Sequence, residues 1–148
     1  MKFRHILLTT DLSPEAERAF APAQELARAQ GARITLLHVV PELSAVPHGA
    51  PLAPPIPSPE TRQDIEEARE LLRQQREKLD ADLEVCQEVM AADNLAHAID
   101  TYAEEHEVDL ICLSTHGRTG FRRLVLGSVA EAVLRHAKVP VLCFPRVH

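Results

Sequence analysis

The sequence predicts an α/β domain built on a doubly wound five-stranded parallel sheet in the order 3-2-1-4-5, with about four helices over its two faces. Three observations predict it. Strand-like and helix-like patterns alternate along 148 residues, a length that suits one domain spanning 1–148. Three strand candidates are apolar throughout instead of alternating, as strands buried on both faces must be. The segments between strands carry helix-start and helix-stop signals.

His5 to Thr9 (HILLT) is the first apolar run. Ser13-Pro14-Glu15 then gives a cap, a proline at the first helical position and an early acid. Ala16, Ala19, Phe20, Ala23, Leu26 and Ala27 fall on one helical face, with a kink expected at Pro22 and an end at Gly31. Ile34 to Val40 is the second buried strand. The stretch 41–59 holds most of the 11 prolines and reads as a loop. Ser58-Pro59-Glu60 opens a polar helix whose stripe is Ile65, Ala68, Leu72 and Leu79. Glu84 to Met90 is a short, more polar strand. Asp93 is expected to cap a helix with Leu95, Ile99, Tyr102 and Ala103 inward. Val108 to Leu113 is the fourth strand, Ser128 to Ala137 a helix, and Pro140 to Phe144 the last strand.

Composition narrows the function. Hydrophobic residues make up 45%, charged residues 26% and aromatics 3%, so the core is aliphatic. A net charge of −6 argues against a nucleic-acid or anionic-membrane binder, but not against a small anion held by backbone amides. The three cysteines, Cys86, Cys112 and Cys143, form no CxxC and read as buried thiols in a reducing compartment. The eight histidines lack metal-ligand spacing. The N-terminal stretch has no signal-peptide pattern, and no apolar run approaches the roughly 18 residues of a membrane span, so a cytoplasmic protein is expected.

Sheets of this topology bind ligands at the carboxyl ends of strands where the order reverses. That point falls between Thr9-Thr10-Asp11 and Ser114. After the fourth strand the chain reads Ser114-Thr115-His116-Gly117-Arg118-Thr119-Gly120, and later Gly127-Ser128 opens a helix. Glycines allow close approach to phosphate oxygens, and the first amides of a helix are unpaired. Ser128 with Glu131 has capping-box spacing, which stabilises a helix with or without ligand. Arg118, Arg122 and Arg123 could add positive charge or form a solvated face. Neither a Walker-type phosphate loop nor a dinucleotide fingerprint is present.

These residues resemble the universal stress protein family. The likeness runs from Ile6-Leu7-Leu8-Thr9-Thr10-Asp11-Leu12-Ser13 through Leu36-Leu37-His38-Val39 to Val141-Leu142. It is densest from Leu113 to Gly120 and from Leu126 to Glu131. The family's nucleotide-binding branch carries Gly-x2-Gly-x9-Gly-Ser/Thr; here Ser114-x2-Gly117-x9-Gly127-Ser128 departs only at the first glycine. Ser114 extends a strand, so a small side chain in place of positive φ is the expected requirement.

The resemblance implies ATP, or ADP or AMP, as ligand, with Mg2+ as an optional companion. Thr9 and Thr10 would line the adenine side, Asp11 would contact the nucleoside, and Val39 would meet adenine through its backbone. Leu113 and Ser114 would flank ribose and phosphates. Gly117, Gly127, Ser128 and Val129 would supply amides and a hydroxyl to the phosphates, with His116 and Arg118 nearby. It also implies a homodimer through the strand 140–144, whose apolar edge is a pairing template. A protein partner would remain unidentified.

Asp11 is the one acid placed at the switch point, and no general base accompanies it, so little or no catalysis is expected. A phosphoacceptor domain fits poorly, because Asp93 reads as a cap and Lys138 precedes the last strand. An ATP pyrophosphatase would need a glycine-rich loop where Thr9-Thr10-Asp11-Leu12-Ser13 stands. A nucleotide-free dimeric scaffold is the remaining alternative.

Overall fold

The computed structural model describes residues 1–42, 56–115 and 126–145. Within them, five parallel strands form one sheet in the order β3-β2-β1-β4-β5. The strands are β1 (His5–Thr9), β2 (Arg33–Pro41), β3 (Val85–Ala92), β4 (Leu110–Ser114) and β5 (Val141–Phe144). The helices are α1 (Phe20–Gln30), α2 (Pro59–Arg76), α3 (Leu95–Glu105) and α4 (Ser128–His136), with a 3-10 turn at Ala16–Ala19 before α1.

The sheet is covered on both faces because successive side chains of each central strand point opposite ways. Ile6, Leu8, Ile34, Leu36, Leu110 and Cys112 pack with Phe20, Ala23 and Ala27 of α1 and Leu72 of α2. Leu7, Leu37, Val39, Ile111 and Leu113 pack with Ile99 and Tyr102 of α3 and Ala130 and Val133 of α4. Each fully buried leucine contributes about 1.5–3 kcal/mol, so β1 and β4 are tied to both layers at once. The edge strand β3 exposes Cys86, Gln87 and Glu88, which matches its polar sequence and discourages stray strand pairing.

Several element boundaries differ from the sequence reading, each for a local reason. Ser13 accepts from the Ala16 amide, but the chain then makes a 3-10 turn before α1. Pro22 therefore sits in the first turn of α1, where an N–H has no intrahelical partner, and no kink is required. Asn94, not Asp93, caps α3: its side chain accepts from the His97 amide at 3.0 Å. β4 starts at Leu110, after Glu107 has turned the chain with φ of 52° and Asp109 has bonded across to β1. Cys86 is exposed, although Cys112 is buried, its thiol pushed up to about 12 by desolvation. Two signals are met as read: Gly31 ends α1 at φ 67°, and Ser58 caps α2 by accepting from the Thr61 amide. The prolines between 43 and 55 lie outside the described residues.

At the amino ends of the strands, His5 is buried in a polar knot. Its Nδ1 donates to the His106 carbonyl at 3.0 Å, and its Nε2 shares a hydrogen bond with Thr35 Oγ1 at 2.8 Å. Desolvation lowers its pKa below the usual 6.5; the His106 carbonyl opposes this, the Arg33 guanidinium adds to it, and the Asp109 carboxylate opposes it. The unfolded chain therefore takes up the proton first as pH falls, and the stability this group contributes above pH 6.5 is lost on descending through and below that value. Urea denaturation at a series of pH values should show stability falling below pH 6.5, with a shallower fall in His5→Gln.

Candidate functional site

The helices that follow β1 and β4, α1 and α4, pack on opposite faces of the sheet, so the carboxyl ends of these two strands mark its switch point. A cavity of about 360 Å3 opens there, within the range of roughly 300–1,000 Å3 usual for small-molecule sites. β1 brings Thr9, and the loop after it brings Thr10 and Asp11. β2 brings Leu37, His38, Val39 and Pro41; β4 brings Leu113 and Ser114, followed by Thr115. Gly127, Ser128, Val129 and Ala130 close it from the start of α4, and Leu95 and Ile99 of α3 form a side wall. One part is therefore an apolar slot, and another is lined by hydroxyls and the open end of a helix.

The loop after β1 is heavily tied down. The Thr10 amide donates to the Leu37 carbonyl at 2.9 Å, and His38 Nδ1 donates to the Thr10 carbonyl at 2.8 Å. The Leu12 amide donates to Thr10 Oγ1 at 3.0 Å. Asp11 Oδ1 accepts from the Ser13 amide at 3.0 Å and from the Ser13 hydroxyl. Asp11 thus both holds its own turn and lines the cavity. Leu12 is held at φ 68°, a region that costs an L-residue about 1–2 kcal/mol.

On the other side, β4 and α4 are joined by one short backbone bond: the Gly127 amide donates to the Thr115 carbonyl at 2.8 Å. This explains the glycine. Its φ is −57°, so no left-handed backbone is involved, but a Cβ there would stand 3.1 Å from the Thr115 oxygen. The same bond occupies the Gly127 N–H, so the phosphate-facing role expected of that amide is not open to it. The capping box is also absent. Gly127 is the N-cap, without a side-chain cap, and Ser128 is already the first helical residue. Glu131 turns away to accept from Arg135 at 2.7 Å. The first amides left without intrahelical partners are those of Ser128, Val129 and Ala130, directed where the helix dipole is positive. Ser114 pairs with Phe144 as extended strand and is not among the positive-φ residues, so serine causes no strain there.

Nine of the residues singled out from sequence therefore line a single cavity: Thr9, Thr10, Asp11, Val39, Leu113, Ser114, Gly127, Ser128 and Val129. His116, Gly117, Arg118, Arg122 and Arg123 lie outside the described residues. Leu95, Ile99 and Thr115 were missed as wall residues. Helical periodicity marks Leu95 and Ile99 as inward, but only the packing says that inward at this level means the cavity. Among the described residues no cluster of acidic, histidine or cysteine side chains could hold a metal ion, and no helix is long and apolar enough to cross a membrane.

The chain matches the family model described as the universal stress protein family over residues 2–145. It belongs to the universal stress protein family. A curated relative, universal stress protein A homolog 1 of Coxiella burnetii, is 34% identical over 151 residues, covering 96% of each chain. Among solved structures, universal stress protein UspA from Lactobacillus plantarum superposes with a TM-score of 0.78 at 26% identity, covering 97% of this chain and 99% of that one. At 21% identity and a TM-score of 0.58, the universal stress protein from Archaeoglobus fulgidus was solved in complex with dAMP; 97% of this chain and 98% of that one are covered. Another universal stress protein, at 19% identity and a TM-score of 0.60 with 98% of each chain covered, was solved in complex with cAMP. The likeness to these last two shows the fold.

The Thr115 carbonyl is fixed from both sides, because its own amide donates to Phe144 at 3.1 Å. It therefore has little room to yield to a new methyl group. Gly127→Ala should lower unfolding free energy by about 1–3 kcal/mol in chemical denaturation, although alanine is the better helix former elsewhere.

Proposed function

We propose that this universal stress protein binds an adenine nucleotide, ATP or its ADP or AMP relatives, as a regulatory ligand in stress response and turns it over little or not at all. The observation that carries the reading is one cavity holding both an apolar slot and the open amides of α4, with Asp11 between the strand ends. The slot bounded by Val39, Ile99 and Leu113 suits a planar base. The amides of Ser128, Val129 and Ala130 suit phosphate oxygens. Asp11 Oδ1 is committed to Ser13, which leaves its second oxygen for a ribose hydroxyl. The dAMP and cAMP complexes of two family members support an adenine ligand. His116, Gly117 and Arg118 complete the phosphate side in this reading, and Mg2+ could accompany a triphosphate. The protein acts as a single domain in the cytoplasm.

The same reading makes it a homodimer through β5. That strand ends the sheet, and Leu142 on it is 40% exposed. An apolar edge of this kind pairs readily with a copy of itself.

Mass spectrometry of protein purified without added ligand should find an adenine nucleotide at close to one per chain, and calorimetry should return binding. Ser128→Glu should weaken ATP binding by more than about tenfold while leaving the fold intact, since an acid in the first helical turn suits the helix dipole but repels phosphate. No affinity below millimolar for any adenine nucleotide would leave the nucleotide-free scaffold as the answer. Turnover of several ATP per second, lost in Ser128→Glu, would make the protein an enzyme. Leu142→Lys should shift sedimentation from dimer to monomer without changing nucleotide affinity.

A further inference from the structure

The inward face of α2 buries two polar residues, Thr61 near its start and Gln75 near its end. Ala68, Leu72 and Leu79 are buried against the sheet, and Gln75, at the same helical spacing, is only 5% exposed. Burying a carboxamide costs free energy unless its polar atoms are satisfied. Gln75 Oε1 accepts from Thr10 Oγ1 at 2.7 Å. Its Nε2 donates to the Ser13 carbonyl and to Glu17 Oε1, each at 3.3 Å. Glu17 is held in turn by Lys78 Nζ at 2.6 Å.

The two loop atoms it grips lie on either side of Asp11 and the left-handed Leu12. The bonds within the loop, from Leu12 to Thr10 and from Ser13 to Asp11, span two residues each and could turn together as a unit. The bonds from Gln75 come from another layer of the molecule, and with His38 they set where that unit points. Strained backbone persists where surrounding contacts over-determine it.

We infer that Gln75 is a positioning residue for the nucleotide site: from α2 it clamps the Thr10–Ser13 loop so that Asp11 and Thr10 face the ligand. This rests on the adenine-nucleotide reading proposed above. A leucine at this position would keep the apolar stripe, so what the amide adds is its hydrogen bonds to the loop.

The test is AMP and ATP calorimetry on Gln75→Leu, which keeps the apolar stripe, with Gln75→Met as a second variant should the first fold poorly. Both nucleotides should bind about fivefold to tenfold more weakly, in line with the loss of one or two buried hydrogen bonds. Hydrogen exchange should accelerate at the Leu12 and Ser13 amides while the β1 and β2 amides keep their protection. In a Thr10→Val background, Gln75→Leu should cost less than it does alone, because the bond to Thr10 is already gone and only those to the Ser13 carbonyl and Glu17 remain to be lost. Unchanged affinity in a folded Gln75 variant, or losses that simply add with Thr10→Val, would overturn the inference and leave the nucleotide reading standing. Absence of binding by the unaltered chain would overturn both.

Discussion

Two-sided burial of β1 is the constraint on which the rest depends. Ile6, Leu7 and Leu8 are each fully buried, and alternate side chains face opposite layers. No single layer of helices can satisfy such a strand, so the chain must cross over one face and then the other. Right-handed crossovers achieve this by adding β2 and β3 on one side of β1 and β4 and β5 on the other. Among the described residues, the reversal leaves a cavity at the carboxyl ends of β1 and β4. The cavity is thus a consequence of how an apolar central strand is buried, before any ligand is considered.

What makes that opening a site is how tightly its rims are fixed. One rim is closed by the bond from the Gly127 amide to the Thr115 carbonyl, which sets the start of α4 against the end of β4. The other is the loop after β1, held by Leu37, His38 and Gln75 around a left-handed Leu12. The amides at the start of α4 act locally whatever the global field, so a net charge of −6 does not decide the potential at this rim. Such rigidity suits binding. The described part of the cavity offers Asp11 as its one carboxylate, already engaged with Ser13.

The strand order, the strand positions and most of the cavity lining were legible from sequence because they rest on local pattern. A short apolar run without alternation, bounded by turn signals, reads as a strand covered on both faces, and in a doubly wound sheet the residues at its carboxyl end lie at the rim. Thr9, Thr10, Asp11 and Ser114 follow from that logic. The family likeness added Leu113, Val39 and Val129, which the strand-end argument does not single out and which line the same cavity.

Other features depended on contacts between distant segments. Gly127 and Ser128 read as a phosphate amide and a cap; packing against Thr115 made the glycine the cap and occupied its N–H. Asp93 and Asn94 are equivalent as capping residues by composition, and the path of the chain leaving β3 chose Asn94. Gln75 was invisible, since its partner Thr10 lies 65 residues away and nothing in α2 marks it except a polar residue at an apolar spacing. The sequence by itself determined which segments are buried on two faces, and hence the sheet and the location of its opening, because burial follows from hydrophobic period. Only the tertiary structure decided which amides remain free and which side chains aim the rim, because hydrogen bonds between layers depend on distances that period does not encode.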